Sequence, residues 1–502
     1  MRGIHTESKQ ESYDAVVVGA GIGGLSTAAL LAKAGKSVLL LERHDRPGGY
    51  AHSFKRRQFH FDSGVHLVSG CGPTGYQNGS AIYQVCQAVG IDTNTLFMPI
   101  KSYARAVYPG LEITLNSGEE ALIDGLCKHF PQEKQNLLKL IRLCKTLAEE
   151  AMLAESVLEQ SRSSRVSPAE LLAHLFRYRR TTLTEALAEH LSDPRLRQVC
   201  ASLWPYLGLP PSRLSFLYWA CMMAGYTYEG GYYCRGSFQA YANALANAIE
   251  TLGGEVLLNA SVRRIGVEQG HVTGVVLENG QIIQTSCVVS NVDAHQTADW
   301  LIGREHLPAA YQRQLAQLEP STAIFVSYLA TDLPMQDHPH ESFFYDSFDH
   351  EAAYASTQSG HFNWFSATLP SLQDPSLAPS GQHILLLTTL CPFDVGQSWR
   401  QAKAIFQERL LDKAEQQFPG LRQHLLFIES GSPRTSERYT LNYQGAAYGF
   451  APSPDQIGPG RPGVRGPIPG LYHTGHWTRP GGGVAGVSVS ALLAAEAVLA
   501  DQ

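Results

Sequence analysis

Residues 13–47 constrain this chain more than any other stretch. Ala15–Val18 is a four-residue apolar run, short enough for a buried strand. Gly19-Ala20-Gly21-Ile22-Gly23-Gly24 follows at once and places G-x-G-x-x-G on Gly19, Gly21 and Gly24. A helix pattern rich in Ala and Leu covers 25–34 and is closed by Gly35; a second apolar run, 37–41, ends in Glu42. Gly19 suits a tight turn, Gly21 lets backbone approach a pyrophosphate, and Gly24 lets helix and strand pack closely. The helix start offers N–H groups and partial positive charge to phosphate. Glu42 stands 18 residues beyond Gly24, where an acid accepts hydrogen bonds from a ribose diol. Strand, turn, helix, strand and acid in this order predict a dinucleotide-binding unit.

The rest of the chain must supply what the nucleotide serves. A length of 502 residues fits about three domain-sized units, or one or two interleaved domains. Only 17% of residues are charged, which points to apolar cavities or lipid contact. A net charge of −6 argues against a nucleic-acid footprint. The nine cysteines form no C-x-x-C, and their odd count predicts free thiols in a reducing compartment, cytoplasmic or at a membrane surface. Residues 1–12 are polar, so no secretory signal is expected. Residues 15–32 carry no charge and would pass a hydropathy test for a membrane span, but their glycine pattern assigns them to the phosphate turn.

Two further motifs follow the ribose acid: Arg46-Pro47-Gly48-Gly49, then Phe61-Asp62-Ser63-Gly64-Val65-His66. With the glycine turn before them, this region resembles the FAD-binding region of the phytoene desaturase superfamily. That group holds carotenoid desaturases, carotenoid isomerases and retinol saturases, with monoamine oxidases as more distant relatives of the same fold. The resemblance is strongest over 13–70, 228–265 and 430–500. Around 431–450 it lies nearer the isomerase and retinol saturase branches. It implies an α/β fold, in which a Rossmann-like FAD-binding domain of the amine oxidase type is interleaved with a mixed-sheet substrate domain and a helical insert. The corresponding division is 1–100, 229–298 and 441–502 for FAD, with 101–228 (helical insert) and 299–440 (mixed sheet) for substrate.

The resemblance also implies a cofactor set: Gly19, Ala20, Gly21, Gly23, Gly24, Glu42, Arg43 and Arg46 around the nucleotide, and Gly48, Gly49, Gly64 and Val65 along the flavin. Val262 would meet the adenine through its backbone. Gly475, Val484 and Val487 would belong to a last element whose helix N-terminus faces the pyrimidine end of the flavin. Gly481, Gly483 and Gly486 spell a second G-x-G-x-x-G, but no acidic partner strand follows, so no second nucleotide site is expected.

No metal-ligand spacing and no nucleophile elbow appear. The hard chemistry therefore belongs to the cofactor. By resemblance of position, His66, Tyr448, His476 and Arg479 are the polar candidates near the ring, and His or Tyr could move the proton that double-bond chemistry requires. Their alternative is an orienting or structural role. Residues 117–235 read as mostly helical. Within them, 203–228 is dense in aromatics and methionine, as plain core or as the wall of a hydrophobic tunnel. Residues 176–180 mix aromatic and basic side chains, as a solvated helix end or an anionic membrane contact.

Strands are expected over 102–115, around Pro109-Gly110, over 322–329, 361–367 and 384–390, and as a hairpin over 272–284. A long helix is expected near 399–418. The expected activity is oxidoreduction on the C–C or C=C bonds of a carotenoid- or retinoid-like molecule, by saturation, desaturation or isomerisation. Oxygen, a quinone or NADPH could exchange electrons with it. Amine oxidation, a specialised-metabolite flavoenzyme, and a non-catalytic binder of the GDP-dissociation-inhibitor type are the alternatives. Intact Gly19, Gly21, Gly24 and Glu42 speak against the binder.

Overall fold

The computed structural model describes residues 8–73, 80–161 and 167–502. Residues 1–7, part of the segment in which no secretory signal is expected, lie outside it. The first strand, Ala15–Val18, is the middle of a five-stranded parallel sheet ordered Glu255–Leu257, Val38–Leu41, Ala15–Val18, Val288–Ser290, Leu471–His473. AVVV and VLLL are buried throughout and lack polar alternation, as strands covered on both faces must be. Three distant stretches of chain thus build one nucleotide sheet.

The first helix, Ile22–Lys33, starts three residues earlier than periodicity alone suggests. Gly21 is its N-cap, so the phosphate turn and the first helical turn are the same residues. The last helix, Val484–Asp501, packs along it, and Phe238–Thr251 packs on its other flank. By length and composition the last helix could cross a membrane. Here its Ala- and Val-rich side lies in the main core.

A second sheet has seven strands. Its order is Leu425–Gly431, Ala323–Thr331, His383–Cys391, Trp364–Thr368, Glu341–Tyr345, Ser102–Tyr108, Leu111–Asn116. Only the Glu341–Tyr345 and Ser102–Tyr108 pair is parallel. Periodicity finds five of these strands and misses Leu425–Gly431 and Glu341–Tyr345. The latter, ESFFY, is buried at every position, and its leading Glu reads as loop in a one-dimensional pattern. Trp399–Gln417 covers one face of this sheet. The insert is helical, with a 28-residue helix, Lys134–Ser161, against Phe216–Ala224.

The hairpin His271–Leu277 to Ile282–Gln284 turns at Gly280 (φ +88), where Asn279 Oδ1 accepts from the Gln281 N–H at 3.0 Å. Asp62 of the Phe-Asp-Ser-Gly turn is a brace. Fully buried, it accepts from Tyr233 Oη at 2.5 Å and from the Phe238 N–H at 2.9 Å, tying the hairpin 53–62 to the start of Phe238–Thr251. The nine cysteines are free, and no metal-binding cluster occurs among the described residues.

Candidate functional site: two glycine-rich turns and a buried histidine

The nucleotide end is built almost wholly from backbone. Gly19 has φ +97, and its N–H donates to the Leu41 carbonyl at 2.8 Å. A Cβ on Gly24 would overlap the Gly19 carbonyl oxygen, so no larger residue fits between strand and helix. Glu42 stands at the mouth of this turn, its Oε2 accepting from the Ala20 N–H at 2.7 Å and its Oε1 from the His44 N–H at 2.8 Å. Asn259 and Ala260 donate to the carbonyls of His44 and Glu42 at 3.0 and 2.8 Å, which brings Val262 to the same end. Arg46 turns back to Asp45 (2.9 Å) and the Ser53 carbonyl (3.2 Å); Arg43 is exposed and reaches the Arg438 carbonyl at 3.4 Å.

The paired glycines dock onto the same turn. Gly48 N–H donates to the Ala20 carbonyl at 2.7 Å, and a Cβ on Gly49 would lie 3.1 Å from Gly21 Cα. From there the chain runs beneath Tyr50, whose carbonyl accepts from the Val65 N–H at 3.3 Å and lies 3.3 Å from a Cβ built on Gly64.

The second glycine-rich turn meets the first. A Cβ on Gly23 would come within 2.9 Å of Gly475 Cα and N, while Gly475 N–H donates to Ser490 Oγ at 2.8 Å. The sequence patterns pass over the side chain that unites them, Asn291. Its backbone N–H donates to the Val18 carbonyl at 2.9 Å, its Nδ2 to the Gly19 carbonyl at 3.3 Å, and its amide fills the space beside Gly21, Gly23 and Gly475. Val484 and Val487 open the last helix, which also packs against Val68–Ser69, just beyond His66. The two glycine-rich ends therefore lie on one side of the molecule. Both helix starts, Gly21 and Gly483, lack a side-chain cap and leave their N–H groups to a ligand. Backbone donors, glycine clearance and the Glu42 carboxylate fit a dinucleotide.

The four polar candidates differ sharply. His66 is 11% exposed and pairs through Nε2 with Glu341 Oε2 at 3.2 Å; Glu341 is wholly buried. Thr368 Oγ1 donates to the same Oε2 at 2.6 Å, and Oε1 has no hydrogen-bond partner among the described residues. His340 Nε2 holds the His66 carbonyl at 2.8 Å. Burial pulls the His66 imidazole down, but the Glu341 carboxylate and its hydrogen bond outweigh this and set it above its ordinary value. His476 is the opposite case: burial, with the Arg461 charge adding to it, pushes it down to about 3, so the ring is neutral. Its Nε2 and Trp477 Nε1 share Asn442 Oδ1 at 3.2 and 2.8 Å. Burial keeps the Tyr448 phenol protonated, and its hydroxyl donates to the Pro205 carbonyl at 3.2 Å. Arg479 precedes a cis proline and lies against Gly463.

The helical insert joins these groups. Tyr206 follows Pro205, and its ring lies 6.2 Å from His66 and 5.1 Å from Phe343. Gly208 clears the Tyr448 ring, from which a Cβ would be 3.0 Å away. His66, Tyr206 and Tyr448 thus form one continuous wall, and His476 reaches it through Tyr50, ring centroids 6.0 Å apart. Glu341, Tyr206 and Asn291 carried no motif. Glu341 is the partner His66 required, and only sheet pairing reveals it.

Replacing Glu341 with Gln tests this pair. Breaking a buried ion pair costs about 3–5 kcal/mol. A raised histidine contributes its stability fully below its unfolded pKa of about 6.5 and loses it as pH rises through the higher folded value. The gap in melting temperature between wild type and E341Q should therefore be widest in acid and close in alkali, as calorimetry across pH would show.

Comparison with known proteins agrees with this architecture. Residues 22–499 match the family described as flavin containing amine oxidoreductase. Prolycopene isomerase 2, chloroplastic, from an Oncidium hybrid cultivar is 27% identical over 515 residues, covering 98% of this chain and 84% of the relative. All-trans-retinol 13,14-reductase from Rattus norvegicus is 28% identical over 532 residues, covering 97% and 86%. The crystal structure of an oxidoreductase from Methanosarcina mazei superposes with a TM-score of 0.66 at 21% identity, over 96% of this chain and 99% of the other. Near-complete coverage, the glycine turn and its ribose acid lead to one assignment: the chain belongs to the flavin-containing amine oxidoreductase family, with FAD as its cofactor.

Proposed function

We propose that this protein is an FAD-dependent oxidoreductase acting on the conjugated carbon–carbon bonds of a hydrophobic polyene of carotenoid or retinoid type. The observation that carries this reading is the His66–Glu341 pair. Of the two candidate histidines, only His66 has a carboxylate partner, which sets it above its ordinary value and favours its protonated form. His476 and Tyr448 serve instead to shape the wall. When bound, FAD supplies hydride or electron transfer at its ring. The chain holds the substrate against that ring, excludes water with Tyr206, Phe343 and Tyr448, and presents or withdraws a proton at His66 Nε2. A proton held in the protein suits saturation and isomerisation, the reactions named in the two relatives. Desaturation uses the same groups in reverse.

Oxygen, a quinone or NADPH would exchange electrons with the cofactor. Uptake of substrate at a membrane surface is supported by Leu171, 56% exposed at the end of the short helix Pro168–Leu171, and by Phe176, Arg179 and Arg180, on the next helix Ala173–Tyr178 and the turn after it.

Anaerobic incubation of the flavin-reduced protein with cis and trans polyenes, followed by chromatography, tests the reading. A saturated or isomerised polyene is the expected product. Inert polyenes, together with peroxide release from a primary amine in air, would overturn it.

A further inference from the structure

The loop that opens the last helix covers a buried arginine. Arg461 is 1% exposed. Its Nη2 donates to the Phe450 carbonyl at 2.5 Å, but Nε and Nη1 make no hydrogen bond of ordinary geometry among the described residues. Gly481, at φ +131, lies directly on Nη1, where any Cβ would overlap the guanidinium and come within 2.7 Å of the Tyr218 hydroxyl. Tyr218 Oη donates in turn to the Gly482 carbonyl at 3.0 Å. Gly483, the next residue, is the uncapped start of Val484–Asp501. Burial opposes the charge on Arg461 and Tyr218 favours it, while no carboxylate acts on it among the described residues. A buried cation with idle donors is costly unless an anion answers it.

The turn at Gly19, Gly21 and Gly24, with Gly475 beside it, would hold the pyrophosphate. Gly481 belongs to the loop that leads into the uncapped helix start, away from that turn, where the flavin rather than the phosphates would lie. We propose that Arg461, acting with the N-terminus of the last helix, is the fixed cation that answers the negative charge FAD gains on reduction. The inference rests on the FAD reading above. Arg461 is a positioning residue: Gly481 lies over its guanidinium, and glycine at 481 is what permits that approach. Its effect falls on the reduction potential of the bound cofactor, whatever the substrate.

The test compares the wild type with Arg461→Gln, Arg461→Met and Arg461→Lys, each loaded with FAD and reduced anaerobically by dithionite against an indicator dye. The neutral variants should shift the oxidised-to-reduced equilibrium at least tenfold towards the oxidised form, about 30 mV downward for a two-electron couple. Lys should restore it to within threefold. If both neutral variants fold but lose FAD while Lys keeps it, the requirement for charge is again supported. Equal potentials in flavin-loaded wild type and Gln variant would overturn the role of Arg461 and leave the FAD reading standing. So would loss of FAD from a folded Lys variant. A folded wild type that takes up no FAD would remove the FAD reading, and this inference with it.

Discussion

Phenylalanine in place of His66 should lower turnover of a polyene substrate by about 10²–10⁴-fold while FAD remains bound at full stoichiometry, the range set by loss of a positioned general acid or base. Phe replaces the imidazole with a somewhat larger apolar ring that can still pack beside Tyr206, so the wall survives. What disappears is the proton at Nε2. It also leaves Glu341 buried without its cation, so E341Q added to H66F should recover stability but not turnover.

The pH profile separates this role from a structural one. If protonated His66 is the active form, the rate falls as pH rises through its raised pKa. Glu341 is what raises it, so E341Q alone should move the descending limb to lower pH. Stopped-flow measurement of the polyene step from pH 5 to 9 would show both. An unchanged rate in H66F sinks the assignment.

Valine at Gly23 is expected to abolish FAD retention and cut the melting temperature sharply. The side chain would meet Gly475 Cα and N at about 2.9 Å and Asn291 Oδ1 at 2.8 Å. Two of these three atoms are backbone and cannot swing away. The first helix must then separate from the Gly475 turn, at a cost of about 1–3 kcal/mol for overpacking alone. The loss for FAD is larger, because both halves of its cradle move. A control is Gly253→Asn: φ is +90 there, but nothing lies within 4 Å, and Asn tolerates the left-handed region. That variant should fold and hold FAD. Flavin absorbance after gel filtration, with a thermal melt, distinguishes the two. A yellow, stable G23V protein would mean that the two turns need not touch.

The parts legible from residues alone were those with local causes. Ala15–Val18, the glycine turn, Ile22–Lys33 and Glu42 follow from spacing within some thirty residues, because a βαβ unit is closed by its own turn and helix. The Asn279-Gly280 hairpin and Trp399–Gln417 were legible for the same reason. Glu341–Tyr345 was not. It is a strand because Trp364–Thr368 pairs on one side and Ser102–Tyr108, far away in the chain, pairs in parallel on the other.

The sequence by itself determined a first turn shaped for a dinucleotide, since only backbone and glycine clearance are needed there and both are written locally. The tertiary structure decided which polar group keeps a proton. His66 and His476 look alike in one dimension. Folding buries both and gives only His66 a carboxylate, so one is raised and the other driven neutral. It also decided that Arg461 lies under Gly481, because the cost of a buried charge depends on what surrounds it, and those neighbours include Tyr218 from the distant helical insert.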